Sequence, residues 1–576
     1  MTMSTSPDWP HCGHGAHPDT DPVGCRGRRV EPYAECLAHL SDADRTAYLA
    51  GLEPGADVDH RGTRFSEALL HELLSTLRPT ATNRPYLGRT LFTEAEFDGD
   101  AKFSGAVCSG DARFDYAQFG GDVSFVGAVF DGEVRFSWAK ISGHANFFHV
   151  EIDGDARFGF MKISGNFAFV KAKISGEALF DATEFSGFTA FDGAEIGSDA
   201  TFRGTVFQHA SAVGPLVCKG ALDLSAATFG TAVAIEVATL TLLCRRTRWA
   251  STAALRLRYA AVDLSDAVME YPVSVAVRFR PFSMPFTQPL DPGVPELDRE
   301  DSRVRMMSLR GADAAHLTLT DVDLTDCLFA GTIHLDQLRL EGRYPLAPTP
   351  SGVRWRGRWP VRWTPRRTLA EEQHWRAGRS TAAGGWTPAP EGVEVLEPVA
   401  LAPVYRQLRK AFEDSKHEPG AADFYYGEME MRRHADDIPS SERALLTAYW
   451  ALSGYGLRAS RALGWLAVAM MTTILLMMGF GLPNETPKQQ VVKEKIDGKW
   501  TTVIDKPDPK NPTGNRFTGK RFEKALNVTL NSVVFRSSGQ DLTTAGTYIE
   551  MTSRLTEPVL LGFAGLAVRG RVKRGS

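Results

Sequence analysis

The chain has 576 residues, long enough for several domains. Its formal net charge is −4 and its pI is near 6.4, so no global basicity points toward nucleic acid. Seven irregularly spaced cysteines do not read as a secreted disulfide framework, and the amino end, MTMSTSPDWPHCGHG, lacks the apolar core of a signal peptide. The bulk of the chain is therefore expected in the cytoplasm.

Residues 1–40 form a Cys/His-rich segment. Cys12, Cys25 and Cys36 lie there with His11, His14, His17 and His39, in a stretch too short for a core of its own. Thiolates and imidazoles at tetrahedral reach would let a zinc ion tie such a segment together. The expected ligands are Cys12, Cys25 and Cys36 with His39, or with His14 in its place. The alternative is a short cap holding free cysteines. Four closed ligands would make the zinc structural, and no other cofactor is expected. Residues 41–87 read as a helical cap. Ser41 starts one helix that reaches Leu52; a second fits Phe65–Leu77, with Leu69, Leu70, Leu73, Leu74 and Leu77 on one face.

From Leu91 to Phe207 large apolar residues recur in alternating steps of five and six. Phe97, Phe103, Phe114, Phe125, Phe136, Phe147, Phe158, Phe169, Phe180, Phe191 and Phe202 carry this beat together with Phe92, Cys108, Phe119, Phe130, Ile141, Ile152, Ile163, Ile174, Phe185, Ile196 and Phe207. A small residue usually sits two places before each, as Ala95 before Phe97. Glycine returns every eleventh residue at Gly99, Gly110, Gly121, Gly132, Gly143, Gly154, Gly165, Gly176 and Gly187. Such steps rotate a side chain to opposite faces of a helix, so a helix is excluded. A coil with flat sides and sharp corners accommodates them, with the phenylalanines stacked inside and the glycines at corners of positive φ. Four sides per coil make about five coils over this stretch, roughly 25 Å long. This pattern resembles the pentapeptide-repeat family of right-handed β-solenoids, in an eleven-residue variant. The expected fold is mainly β, with the solenoid over residues 88–340, a helical cap before it and a helical, membrane-crossing region after it.

An aromatic ladder can also stack nucleobases. Here the phenylalanines carry the coil period, which makes them core, so nucleic acid is not an expected partner. Leu91–Ala210 holds 18 acidic and 9 basic residues. The resemblance implies one use for that charge, since some pentapeptide-repeat proteins imitate DNA and protect gyrase; the alternative is a solvated, soluble exterior. Over 208–305 the beat loosens into what read as degraded coils, with a proline-rich loop at Phe279–Pro295. It returns with Leu309, Leu319, Leu324 and Phe329 as large positions and Ala312 and Cys327 as small ones. Cys108, Cys218 and Cys327 read as core thiols.

Residues 341–402 comprise an Arg/Trp-rich segment and a linker. Arg354, Arg356, Arg358, Arg362, Arg366 and Arg367 alternate with Trp355, Trp359 and Trp363, with no acid before Glu371. That mix suits an anionic membrane surface, phosphate contacts with stacking, or docking onto the acidic rod. Residues 403–461 read as a helical hairpin split at Pro419–Gly420, followed by a juxtamembrane helix. Tyr405, Leu408 and Phe412 form one apolar face, and Phe424, Tyr425 and Met429 lie on the other helix; the Glu and His residues read as solvated faces. The stretch YRQLRKAFEDSKHEPGAADFYYGEMEMRRH looks like the hairpin of membrane-anchored, actinobacterial-type pentapeptide-repeat proteins. In some relatives the part that follows is similar to a two-span ion channel.

Residues 462–576 are expected to cross a membrane twice. Leu463–Leu482 is uncharged and long enough for one crossing. The polar loop 484–524 would lie outside, Phe522–Phe535 would form a short interfacial or re-entrant helix, and Leu555–Val568 would return before the basic end at Arg569, Arg571, Lys573 and Arg574. Gly454–Tyr455–Gly456 precedes the first crossing, so it is no selectivity filter, and two crossings could make a pore only in a homo-oligomer. No dinucleotide fingerprint, Walker loop, His-Glu-x-x-His or Gly-x-Ser-x-Gly motif is present. The resemblance carries a frequent label of membrane-associated oxidoreductase, yet no catalytic residue emerges. The expected function is a membrane-tethered cytoplasmic scaffold at the bacterial plasma membrane, binding an unidentified protein partner. A channel and a redox enzyme are the alternatives.

Overall fold

The structure is a computed structural model that describes residues 6–282, 303–356, 359–379, 384–483, 490–496, 499–505 and 509–572. It divides into two compact units, residues 1–396 and 397–576.

The first unit is a parallel β-solenoid of about 11 coils. Each two-residue strand buries one residue and shows the other, as in Ala112–Arg113 and Lys140–Ile141. The register repeats every 22 residues, so Ala112, Val134, Ala156, Ala178 and Ala200 lie one above another. Four sheets of 11, 5, 12 and 10 strands form the sides. Inside, Phe92, Phe114, Phe136, Phe158, Phe180 and Phe202 form one column with ring centroids 4.7–5.5 Å apart. A second column, through Phe103, Phe125, Phe147, Phe169 and Phe191, meets it edge to face, with Phe125 and Phe136 at 83°. The eleven beat phenylalanines are between 0% and 3% exposed, so their rings fill the interior.

The corner glycines do not have positive φ, contrary to the expectation. The left-handed corner lies elsewhere, again every eleventh residue: Glu94, Gly105, Tyr116, Gly127, Trp138, His149, Phe160, Lys171 and Ala182. At the Gly corners the reason is contact. A Cβ on Gly132 would meet Gly110 C and Asp111 N at 2.9 Å, and one on Gly154 would meet Gly132 C at 2.7 Å. The residue after each such glycine explains the tightness. Asp111, Asp122 and Asp155 accept the backbone N–H of Glu133, His144 and Glu177 in the next coil, at 3.3, 2.7 and 3.0 Å. At Gly121, Gly132, Gly143 and Gly176 the side chain that ties two coils together thus occupies space a Cβ would need, and at Gly154, Gly165 and Gly187 the backbone of the preceding coil occupies it.

The solenoid begins inside the segment assigned to the cap. Val58–Asp59 and Arg64–Phe65 pair with Thr90–Leu91 and Glu96–Phe97. Helix α1 (Asp42–Ala50) precedes this first coil, and α2 (Glu67–Thr76) is inserted in it, burying Leu69, Leu70, Leu73 and Leu74. Two-residue strands interrupted by a helix leave too little alternation to be read from sequence.

Residues 208–277 keep the parallel pairing, with one register shift between Val213 and Leu216. The period shortens to 20, pairing Ala221 with Thr241 and Thr241 with Ala261. Long strands at Ala212–Cys218, Val233–Ala238, Ala253–Arg258 and Val273–Val277 merge two sides into one, so these coils have three sides. The proline-rich loop falls mostly on 283–302, outside the described residues. Coils resume at Arg305–Ser308, and Leu309, Leu319, Leu324 and Phe329 are all buried.

The Arg/Trp segment closes this end of the rod. Ala347–Pro348 pairs with Arg367–Thr368, and Val353–Arg356 with Trp359–Arg362. Helix α3 (Ala370–Ala377) follows, buried from Ala370 to Arg376. Glu371 Oε1 accepts the N–H groups of Phe329 and Ala330 at 2.6 and 2.9 Å, covering the open edge of the last coil. Glu372 pairs with Arg366 and Arg376 at 2.5 and 2.6 Å in the interior. The Arg376 guanidinium lies about 5 Å from the ring centroids of Trp363 and Trp386. Part of the predicted membrane-facing set is therefore internal packing; Trp355 stays 67% exposed, and Arg358 lies outside the described residues. Trp386, placed in the linker by sequence, is buried as well.

In the second unit α4 (Pro398–Asp414) and α5 (Glu418–His434) form the hairpin. The turn is Ser415–His417, one step before the expected Pro419–Gly420, because Pro fits the first turn of a helix. Gly420 and Gly427 instead lie where the partner helix crosses: a Cβ would meet Phe412 and Tyr405 rings within 2.7 Å. Phe424, Tyr426 and Met431 are the large apolar residues that α5 buries, while Tyr425 and Met429 are half-buried. Glu428 and Glu430 are buried, not solvated; Glu428 meets Arg406 and Arg409, and Glu430 meets Arg433 and the Tyr455 hydroxyl. Gly454 is the left-handed cap of α6 (Ser440–Ser453).

Helix α7 (Ala459–Leu476) continues through a π turn to Gly481. This 23-residue stretch, mean hydropathy 1.9, is long and apolar enough to cross a membrane. Helix α8 (Gly519–Val533) packs Ala525 and Val528 against Met477, Met478 and Leu482. The returning helix α9 spans Thr544–Val572, 29 residues where the sequence suggested about fourteen. Leu463, Val468, Met471, Leu475, Met551, Leu555, Val559 and Leu566 face outward from α7 and α9, whereas Thr473 and Glu557 are buried and joined by a 2.9 Å hydrogen bond.

Candidate metal centre

Residues 8–40 bring their sulfurs together through two reversals. Cys12 N–H donates to Gly27 O at 2.8 Å and Gly13 N–H to Cys25 O at 2.9 Å, placing Cys12 beside Cys25. A turn closed by Val30 N–H to Glu35 O returns the chain, and His39 N–H donates back to Cys36 O. Cys36 and His39 therefore face the same point. Gly27 leaves the space they need, since a Cβ there would meet Cys36 Sγ at 2.8 Å.

The ligand atoms of Cys12, Cys25, Cys36 and His39 all lie within 4.8 Å of one another. Cys25 Sγ and Cys36 Sγ are 3.7 Å apart; His39 Nδ1 is 3.6 Å from Cys12 Sγ and 3.4 Å from Cys36 Sγ. Tetrahedral zinc with Zn–S near 2.3 Å and Zn–N near 2.05 Å requires S–S edges of about 3.8 Å and S–N edges of about 3.6 Å. These three distances match those edges within about 0.2 Å, so the set can hold one zinc ion with no position left open. His14 is not one of the four; its ring stacks on His39 at 4.2 Å, as a backing for that ligand.

The thiols favour the charged form unequally. The Cys25 thiol is brought down to about 5, chiefly by its hydrogen bond with Cys36, and Cys36 is pushed up by the same bond and by burial. The proton held between these two sulfurs is what a divalent cation would replace, leaving both as thiolate ligands. The cluster also sits on the rod: Arg28 N–H donates to Arg61 O at 2.8 Å, Arg26 pairs with Glu94 and Arg28 with Asp59. A further cue in the sequence is the Cys36-x-x-His39 spacing, which supplies one tight ligand pair.

The remaining cysteines belong to the core. Burial pushes Cys108 up to about 12 and Cys218 up to about 11; Cys327 and Cys244, the latter passed over in the sequence, are also raised by burial.

Comparison with protein families finds pentapeptide repeats, in nine copies, over residues 92–137. No curated protein and no solved structure matches the chain.

Proposed function

We propose that the chain is a scaffold: a cytoplasmic pentapeptide-repeat rod tethered to the bacterial plasma membrane, with its amino end locked by one structural zinc ion. The observation that carries the reading is the filled interior. Stacked phenylalanines occupy the rod and both its ends are covered, so recognition is left to its outer faces. Support for the tether comes from α7 and from the inside-out character of its pair with α9, apolar outward and polar inward. At about 1.5 Å per residue, the 29 residues of α9 extend about 43 Å, enough to return across a bilayer. Support for zinc is the match of three of the ligand separations to the edges of a tetrahedron around zinc.

Affinity capture from detergent extracts tests the scaffold, comparing the full chain with one lacking residues 91–335. Partners recovered only with the rod support it; identical recoveries overturn it. Metal analysis of the full chain tests the zinc: about one equivalent is expected, lost in Cys25→Ser and retained in His14→Ala.

A further inference from the structure

Tyr116, Trp138 and Phe160 occupy the left-handed corner of three successive coils, which turns them outward. They are 43%, 47% and 46% exposed. Their rings stack along the rod, with centroids 6.2 and 4.2 Å apart and planes within 6°. Because the faces lie against one another, solvent meets mainly the ring edges, the electropositive rim of the aromatic quadrupole.

Cations flank this rib. Arg113, Arg135 and Arg157 stand in register on one side, and Lys140 and Lys162 on the other. Each arginine has a carboxylate partner, but the cation is the more exposed member: Arg135 35% against Asp115 11%, and Arg157 43% against Asp155 36%. The carboxylates are held inward because Asp111, Asp115 and Asp155 also accept backbone N–H groups of the next coil, at 3.3, 3.1 and 3.0 Å. Lys162 pairs with Glu184 yet stays 57% exposed. Lys140, at the centre, is exposed and forms no ion pair among the described residues. The coils at both ends turn acidic, with Glu94 and Glu96 before the strip and Asp181 and Glu184 after it.

We propose that this rib is a docking strip for a short acidic peptide segment of a partner protein, with carboxylates meeting the guanidinium, ammonium and ring-edge groups. It deepens the scaffold reading and rests on it. At about 4.8 Å per coil the strip is roughly 10 Å long, the reach of about three extended residues. An extended anionic surface, lipid or duplex, would meet the acidic coils at both ends and be repelled. Single-stranded nucleic acid needs ring faces, which are already stacked. A second copy paired about a two-fold would set Lys140 against Lys140.

The test uses the full chain in detergent micelles and three labelled probes: a twelve-residue peptide alternating Glu and Ser, the same peptide with Lys for Glu, and a twelve-nucleotide oligo-dT. Fluorescence anisotropy should show binding of the Glu peptide alone, weakened at least tenfold by Trp138→Ala and by Lys140→Glu, and weakened further by salt. Both side chains are exposed, so the melting temperature should hold; if Trp138→Ala lowers it, Lys140→Glu decides. No binding of the Glu peptide, equal binding by the variants, or preference for oligo-dT overturns the proposal. Captured partners that persist in Lys140→Glu but vanish without the rod overturn the strip and leave the scaffold standing.

Discussion

At the Gly–Asp corners, one residue gives up its side chain so that the next can reach across coils. This separates two kinds of glycine. A Cβ on Gly143 would meet the Gly121 backbone at 2.6 Å, whereas Gly127, at φ +62°, has nothing within 4 Å of that position. Gly143→Val should lower stability by several kcal/mol, on the order of 3, through overpacking against backbone. Gly127→Ala should cost only about 1 kcal/mol for its left-handed conformation. Thermal melts of the two variants check this, and equal losses would contradict the contact explanation. A second residue-scale effect belongs to His60, fully buried with neither ring nitrogen hydrogen-bonded. Burial brings its imidazole down from 6.5 to about 4. Below pH 6.5 the unfolded chain takes up a proton that the fold refuses until about pH 4, so stability falls through that window, by about 3 kcal/mol in total. Urea midpoints at pH 4.5, 5.5 and 7.5 should show this slope, and His60→Leu should remove its share. Comparing the two chains isolates the contribution of His60.

Elements in this protein are set by the width of a side. Where large residues come every five or six positions, short strands alternate with corners and the coil has four sides. Runs such as VAIEVA and AALRLR alternate buried and outward residues over their first five positions, across the place of a corner, so the backbone continues as one strand and the coil loses a side. The capping helix α3 shows how two adjacent acids can differ. Burial raises the Glu371 carboxyl above its ordinary range, so its ionised form is disfavoured in the fold. Glu371→Gln, which keeps an acceptor for the Phe329 and Ala330 N–H groups, should be tolerated, while Glu371→Ala should cost about 2–4 kcal/mol for two orphaned donors. Glu372→Gln should be the more damaging amide, by about 3–5 kcal/mol, because it leaves Arg366 and Arg376 buried without their counter-charge. Denaturation midpoints of the three variants give the order directly.

For the whole molecule, the tether reading predicts which surfaces meet which side of the membrane. A cysteine placed at Lys510, between α7 and α8, should react with an impermeant maleimide added to intact cells, and one at Glu391 should react only after lysis. Reaction at Glu391 alone from outside would reverse the orientation, and reaction of both from outside would contradict a crossing by α7. The ladder of Phe97 to Phe202 was legible from residue order because each coil repeats the same local rule, and so was α7, whose composition alone meets the length of a bilayer. The candidate metal ligands stood together in the sequence without a geometry: it is backbone turns between distant residues that bring His39, and not His14, to the three cysteines. The reason for the corner glycines, the three-sided coils and the burial of the Arg/Trp segment could not be read locally. Each depends on what the neighbouring coil or cap presents some twenty residues or more away, and a one-dimensional period holds no information about that contact.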